Sequence, residues 1–149
     1  MGGVTFRAWD LGGHESVRHM WERFYGQCSA VVFMVDAADP ERLEEARDEL
    51  EELLEAEGSM DIPIAILANK SDLAYAMTPE DVARGLGVEG HVDEQAVGGG
   101  APPQGAGEGP EEGEGKGVSH PDRNVRLFRC SIFKGVGYEQ ALRWISTFV

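Results

Sequence analysis

Two short stretches carry residue types that can do chemistry at the spacing chemistry needs. The first is Asn69-Lys70-Ser71-Asp72, directly after the apolar run "IPIAIL" (62–67). A carboxylate such as Asp72 can accept hydrogen bonds from the N1–H and the exocyclic amine of guanine. Adenine offers an acceptor at N1 and no amine at C2, so the same carboxylate rejects it, and a buried acceptor left unpaired is costly. Asn69 can reach the purine N7 and tie the loop to its neighbours, and Lys70 can lay its aliphatic stem along the base. Taken alone, the tetrapeptide also reads as an ordinary polar turn. The second stretch is Asp10-Leu11-Gly12-Gly13, followed by His14-Glu15-Ser16. A strand-end carboxylate can hold a water on Mg²⁺. Gly13 has no Cβ, so its N–H can approach a phosphate closely, and a helix starting beyond it brings its positive end to the same place. Alone, this too reads as a strand-to-helix turn that needs glycine.

The elements that must position these residues are legible in the apolar periodicity. "VTFRAW" (4–9) alternates and is rich in β-branched and aromatic residues, which predicts a strand ending on Asp10. Val17, Met20, Trp21 and Phe24 recur at helical spacing and predict one helix with one buried face. "AVVFMV" (30–35) and "IPIAIL" are continuous apolar runs, as in strands covered on both faces. Asp39-Pro40 predicts a capped helix start. Leu43, Ala46, Leu50, Leu53 and Leu54 form that helix's stripe, and Gly58 is its expected stop. "TPED" (78–81) reads as a capping box. "VRLFRC" (125–130) reads as a strand, and Ala141, Leu142, Ile145 and Phe148 mark a last helix. Such alternation predicts an α/β fold with a parallel sheet wrapped by helices. Both chemical stretches then sit at strand carboxyl ends, where open α/β sheets bind ligands.

Composition narrows the partners. The 149 residues carry a net charge of −14, which argues against a nucleic-acid partner and against unaided binding to anionic membrane. Cys28 and Cys130 make no disulfide framework, and a reduced cytoplasmic compartment is the simpler expectation. No run of about 18 apolar residues is present to span a membrane. "MGGVTF" departs from a myristoylation start, because Phe6 stands where Ser or Thr is wanted. One segment breaks the alternation. Residues 98–117 hold nine glycines in twenty residues and almost nothing to bury, which predicts a disordered, solvated insert.

At this point the chain resembles the small GTPases of the Arf, Arf-like and Sar group. The resemblance rests on "WDLGGHESVRHMWERFY", "VVFMVDAADPERLEEARDEL", "IPIAILANKSDL" and "CSIFKGVGYEQALRWI", and covers nearly the whole chain outside the insert. His14, in place of the group's usual Gln, and "CSIFKGVGY" are similar to the Sar branch. "MWERF" and "MVDAADPERLEEAR" are similar to Arf-like members.

The resemblance implies a P-loop-NTPase-like fold and a GTP-binding, GTP-hydrolysing switch of vesicle traffic. Asp10 would serve the Mg²⁺ shell through water, Gly13 would sense the γ-phosphate, and His14 would orient the attacking water. Asn69, Lys70 and Asp72 would select guanine, and Ser131 and Ile132 would offer backbone N–H groups to the guanine oxygen. Exchange factor, activating protein and effectors would read residues 14–25. His19, His91 and His120 read as surface residues. The phosphate loop G-x-x-x-x-G-K-[ST] does not occur in the sequence. "PEEGEGKG" (110–117) has Pro for the first Gly, Gly after the Lys and no strand before it. In the group this loop and the first switch lie upstream of "VTFRAW", as does an N-terminal amphipathic anchor. The expectation is therefore a partial GTPase domain over 1–149, lacking its N-terminal strands, with membrane contact at the ER, Golgi or other endomembranes only through that missing segment. The alternative is a non-catalytic interaction module that keeps the switch surface and binds no nucleotide.

Overall fold

A computed structural model describes residues 3–93 and 123–149. The expected insert, residues 98–117, and His120 lie outside the described residues. Three strands, β1 (Val31–Asp36), β2 (Ile64–Asn69) and β3 (Val125–Arg129), form a parallel sheet in the order β1-β2-β3. Its register sets Asp36 beside Asn69 at the carboxyl ends. Helices cover both faces, as a parallel sheet requires.

Side chains alternate across the pleat. On one face Phe33, Val35, Ile64, Ile66, Val125 and Leu127 pack under two helices. These are α3 (Leu43–Glu55), through Leu50, Leu53 and Leu54, and α4 (Pro79–Leu86), through Val82, Ala83 and Leu86. On the other face Ala65, Leu67, Phe128 and Cys130 meet Ala141 and Ile145 of α5 (Tyr138–Ile145). That second layer stops short of β1, where Val32 and Met34 remain 45% and 50% exposed. Among the described residues no strand pairs with the outer edge of β1. No helix among them is long and apolar enough to cross a membrane.

Local chemistry explains several boundaries. Thr78 caps α4, its Oγ1 accepting the Asp81 N–H at 3.1 Å, as the capping box predicts. Four expectations need correction. The segment 4–9 forms no strand, because nothing among the described residues pairs with it; its residues are exposed, and Trp9 leans on Phe24 with ring centroids 5.9 Å apart. The single helix expected from Val17 to Phe24 is two short ones, α1 (Glu15–Arg18) and α2 (Glu22–Tyr25). Between them Met20 and Trp21 donate to the carbonyls three residues back, at 3.0 and 2.9 Å, which tightens the turn. Asp39 makes no side-chain cap; Pro40 instead opens a 3₁₀ turn that leads into α3. Finally, α3 ends at Glu55, before Gly58. There the buried Ser59 hydroxyl donates to the carbonyls of Leu53 and Ala56, and the chain leaves the helix at an extended Ala56.

Candidate guanine-base site

The carboxyl ends of β2 and β3 bring five of the expected residues together. β2 ends on Asn69, and Lys70 then takes a left-handed backbone, φ +64°. It is the only non-glycine with positive φ among the described residues. This conformation is unfavourable for an L side chain and persists where the surroundings impose it. It reverses the chain, so that the Ser71 N–H meets the Cys130 carbonyl at 3.1 Å and Arg129 donates to the Ser71 carbonyl at 3.2 Å. Asp72 thereby faces β3's exit loop, where its Oδ1 accepts the Ser131 hydroxyl at 2.6 Å.

That exit loop is itself closed. Ser131 and Val136 exchange backbone hydrogen bonds at 2.9 and 3.0 Å. Ser131 is fully buried, and its Oγ also accepts the Lys134 N–H at 3.1 Å. Asn69 Oδ1 accepts the Ile132 N–H at 3.0 Å and lies 3.7 Å from Cys130 Sγ. Among the described residues no hydrogen bond engages the other end of the Asn69 amide, a donor suited to a purine nitrogen. Burial pushes the Cys130 thiol up to about 11, so it stays protonated as a packing residue.

The Ser131 and Ile132 N–H groups, the expected donors to a guanine oxygen, both have partners within the chain. The Ser131 N–H is used by Val136, and the Ile132 N–H by Asn69. Backbone closure of the loop engages both donors, and a purine oxygen reaches Ile132 only by displacing the Asn69 carbonyl. The Ser131 side chain instead holds the Asp72 carboxylate.

Sequence reasoning passed over Asp36. Its Oδ2 accepts the Lys70 ammonium, and its Oδ1 accepts the Ala38 N–H at 2.9 Å. Burial alone would push the Asp36 carboxyl up, but the Lys70 and Ala38 hydrogen bonds outweigh it and hold it below its usual range. The same hydrogen bond raises the Lys70 ammonium. A carboxylate at the carboxyl end of the strand neighbouring "NKSD" was the signal available in the sequence.

The remaining expected residues, Asp10, Gly13 and His14, lie on the exposed segment leading into α1. His14 is the N-cap: its Nδ1 accepts the Ser16 N–H at 3.3 Å and lies 2.9 Å from Ser16 Oγ. The segment is tied to α3 by Arg18, whose Nε donates to the Gly13 carbonyl at 2.9 Å. The Arg18 guanidinium also pairs with Glu49 at 2.6 Å and with Glu45. Trp21 Nε1 donates to the Gly12 carbonyl at 2.9 Å. Among the described residues no group of three His, Cys, Asp or Glu gathers to hold a metal. Mg²⁺, however, is commonly bound by one or two carboxylates together with substrate phosphates. Asp10 is exposed and stands just before the paired glycines.

The sequence profile described as the ADP-ribosylation factor family matches residues 1–149. The chain is 32% identical, over all 149 residues and 69% of the relative, to "Small COPII coat GTPase SAR1" of Giardia intestinalis. It is 41% identical over 86 residues, 58% of this chain and 43% of the relative, to "ADP-ribosylation factor-like protein 4D" of Mus musculus. To "ADP-ribosylation factor-like protein 3" of Chlamydomonas reinhardtii it is 27% identical over 143 residues, 96% of this chain and 64% of the relative. The chain thus spans less than two thirds of the length of the last two.

Proposed function

The chain belongs to the ADP-ribosylation factor family, and from that premise we propose that it serves a guanine-nucleotide switch of intracellular vesicle traffic. In this reading residues 1–149 supply base recognition and the segment that regulators read. The observation that carries it is the Asp72 carboxylate, held by the buried Ser131 hydroxyl at the carboxyl end of the sheet. Asp72 receives the two guanine N–H donors. Asn69, fixed through its oxygen by Ile132, presents its amide nitrogen to N7. Lys70 covers one face of the base.

On the phosphate side, Asp10 would help to hold Mg²⁺ through water, and Gly13 would offer its N–H to the γ-phosphate. A Cβ at Gly13 would meet nothing within 4 Å, so approach to its backbone is open. His14 has Nδ1 engaged with Ser16, so Nε2 is the ring nitrogen that would orient the attacking water. Mg²⁺, when bound with nucleotide, neutralises phosphate charge. Residues 14–25 face exchange factor, activating protein and effectors, and membrane contact is with endomembranes. A second reading, an interaction module that holds no nucleotide, draws on the lack of G-x-x-x-x-G-K-[ST] within these 149 residues.

The test is nucleoside preference. By NMR line-shift titration, the chain should favour guanosine over adenosine by about tenfold or more, since each charge-assisted bond contributes on the order of 1.5–3 kcal/mol. Asp72→Asn should remove that preference. Equal affinity for the two nucleosides in the unaltered chain would refute the assignment and favour the interaction module.

A further inference from the structure

We propose that Asp36 is a positioning residue of the base site, holding the Lys70 side chain across the carboxyl ends of β1 and β2 so that its stem forms one wall before any ligand arrives. The inference rests on the guanine-base assignment above. Register places Asp36 directly beside Asn69. The left-handed Lys70 carries the main chain toward β3's exit, while its side chain reaches the other way, and its ammonium lands on Asp36 Oδ2. The carboxylate is itself fixed. Its other oxygen accepts the Ala38 N–H at 2.9 Å, the Ala37 N–H donates to the Asn69 carbonyl at 3.0 Å, and the Ala37 carbonyl accepts the Met77 N–H at 2.7 Å. Asp36 is thus anchored to β2 and to the loop before α4, which leaves Lys70 as its adjustable partner.

The consequence is one of preorganisation. A free lysine has several rotatable bonds, and ordering them when a base binds weakens binding. Clamping the ammonium removes that freedom beforehand. Both side chains are substantially exposed, 51% for Lys70 and 38% for Asp36, and an exposed pair adds little to overall stability. The benefit of the clamp therefore appears in ligand affinity. Lys70 lies on the face of the base and Asp72 on its edge, so the clamp acts on guanosine and adenosine alike. Asp36 sets the affinity of the site, and Asp72 sets its preference.

Asp36→Asn separates the charge from the local fold, because an Asn side-chain oxygen can still accept the Ala38 N–H. The experiment titrates guanosine and adenosine by NMR into the 149-residue chain and into Asp36→Asn, Asp36→Glu, Lys70→Met and the Asp36→Asn/Lys70→Met double variant. Thermal melts of each accompany the titrations. Asp36→Asn should weaken both nucleosides about two- to fivefold, the scale of an exposed ion pair, with the guanosine-to-adenosine ratio unchanged. Asp36→Glu should recover part of the loss. In the Lys70→Met background, Asp36→Asn should have no further effect. If the unaltered chain prefers guanosine but Asp36→Asn binds it equally well, the clamp is refuted and the base site stands. If Asp36→Asn weakens binding as much without Lys70, its role is structural and the clamp is again refuted. If the unaltered chain shows no guanine preference, the base site fails and the clamp with it.

Discussion

Replacing Gly137 with alanine tests whether backbone sterics shape the loop that presents Ser131 to Asp72. Gly137 sits at φ +87°, between the Ser131–Val136 bridge and α5. A Cβ there would lie 2.1 Å from the Arg129 carbonyl oxygen, 2.8 Å from Cys130 Cα and 3.0 Å from Cys130 Cβ. Two of these neighbours are backbone of β3's exit, so the clash cannot be relieved by turning a flexible side chain. Gly87, after α4, provides the control: φ is +74°, yet a Cβ there meets nothing within 4 Å. The left-handed conformation alone costs an L-residue roughly 1–2 kcal/mol, which is the expected loss for Gly87→Ala. Gly137→Ala adds forced backbone movement of about 1–3 kcal/mol, for about 2–5 kcal/mol in all. That is a large fraction of the roughly 5–15 kcal/mol that holds a domain folded. With a urea slope of about 1–3 kcal/mol per molar, the midpoint should fall on the order of 1–2 M for Gly137→Ala and clearly less for Gly87→Ala. Unfolding followed by circular dichroism and tryptophan fluorescence measures both. Guanosine affinity should fall in Gly137→Ala and hold in Gly87→Ala. Equal midpoint shifts for the two variants would refute the steric argument.

Three further outcomes are expected. The Arg42 and Arg18 hydrogen bonds hold the Glu45 carboxyl at about 2, against roughly 4.3 for a free glutamate; its depressed folded value means stabilisation present above pH ~4.3 and lost as pH falls toward 2. Carboxyl NMR should place the Glu45 midpoint near that value and show it rising in Arg18→Ala, while a midpoint unmoved by the substitution would discount the Arg18 contact. Residues 98–117 are proposed to add nothing to the core, so a short Gly-Ser linker in their place should change stability by no more than about 0.5–1 kcal/mol by urea unfolding, because closure depends weakly on length; a loss of several kcal/mol would show that they pack. With Val32 and Met34 exposed on a strand whose outer edge is open among the described residues, the 149-residue chain should melt below about 60 °C, and a cooperative transition above that would contradict the expectation.

Two of the three strands that form the sheet were legible as continuous apolar runs and the third, "VRLFRC", as a short segment rich in apolar residues, and their parallel order follows from the helices between them. "VTFRAW" misled for a physical reason: alternation reports a face that a strand can bury, and pairing needs a neighbour the described residues do not give it. The split of the expected helix into α1 and α2 was illegible because apolar periodicity does not report the side-chain anchors around it, Trp21 on the Gly12 carbonyl and Arg18 on Gly13, Glu45 and Glu49. At the base site, Asn69, Lys70 and Asp72 were readable as a motif. What the sequence concealed was who holds them. Ser131 acts through its hydroxyl, its N–H being taken by Val136, and Asp36 reaches Lys70 from a residue 34 positions earlier. Such contacts depend on strand register, which apolar patterning does not specify to the residue.

On the proposed reading, residues 1–149 hold a guanine-reading site without a phosphate loop of the G-x-x-x-x-G-K-[ST] pattern. That loop contributes several charge-assisted hydrogen bonds, and four or five of them at about 1.5–3 kcal/mol each amount to at least about 6 kcal/mol, or more than four decades of affinity. The most direct measurement is titration of fluorescent GDP and ADP analogues with the 149-residue chain in Mg²⁺. Binding should be weak, with a dissociation constant far above micromolar, should favour GDP and should lose that preference in Asp72→Asn. Sub-micromolar binding, or no preference for GDP over ADP, would contradict that reading.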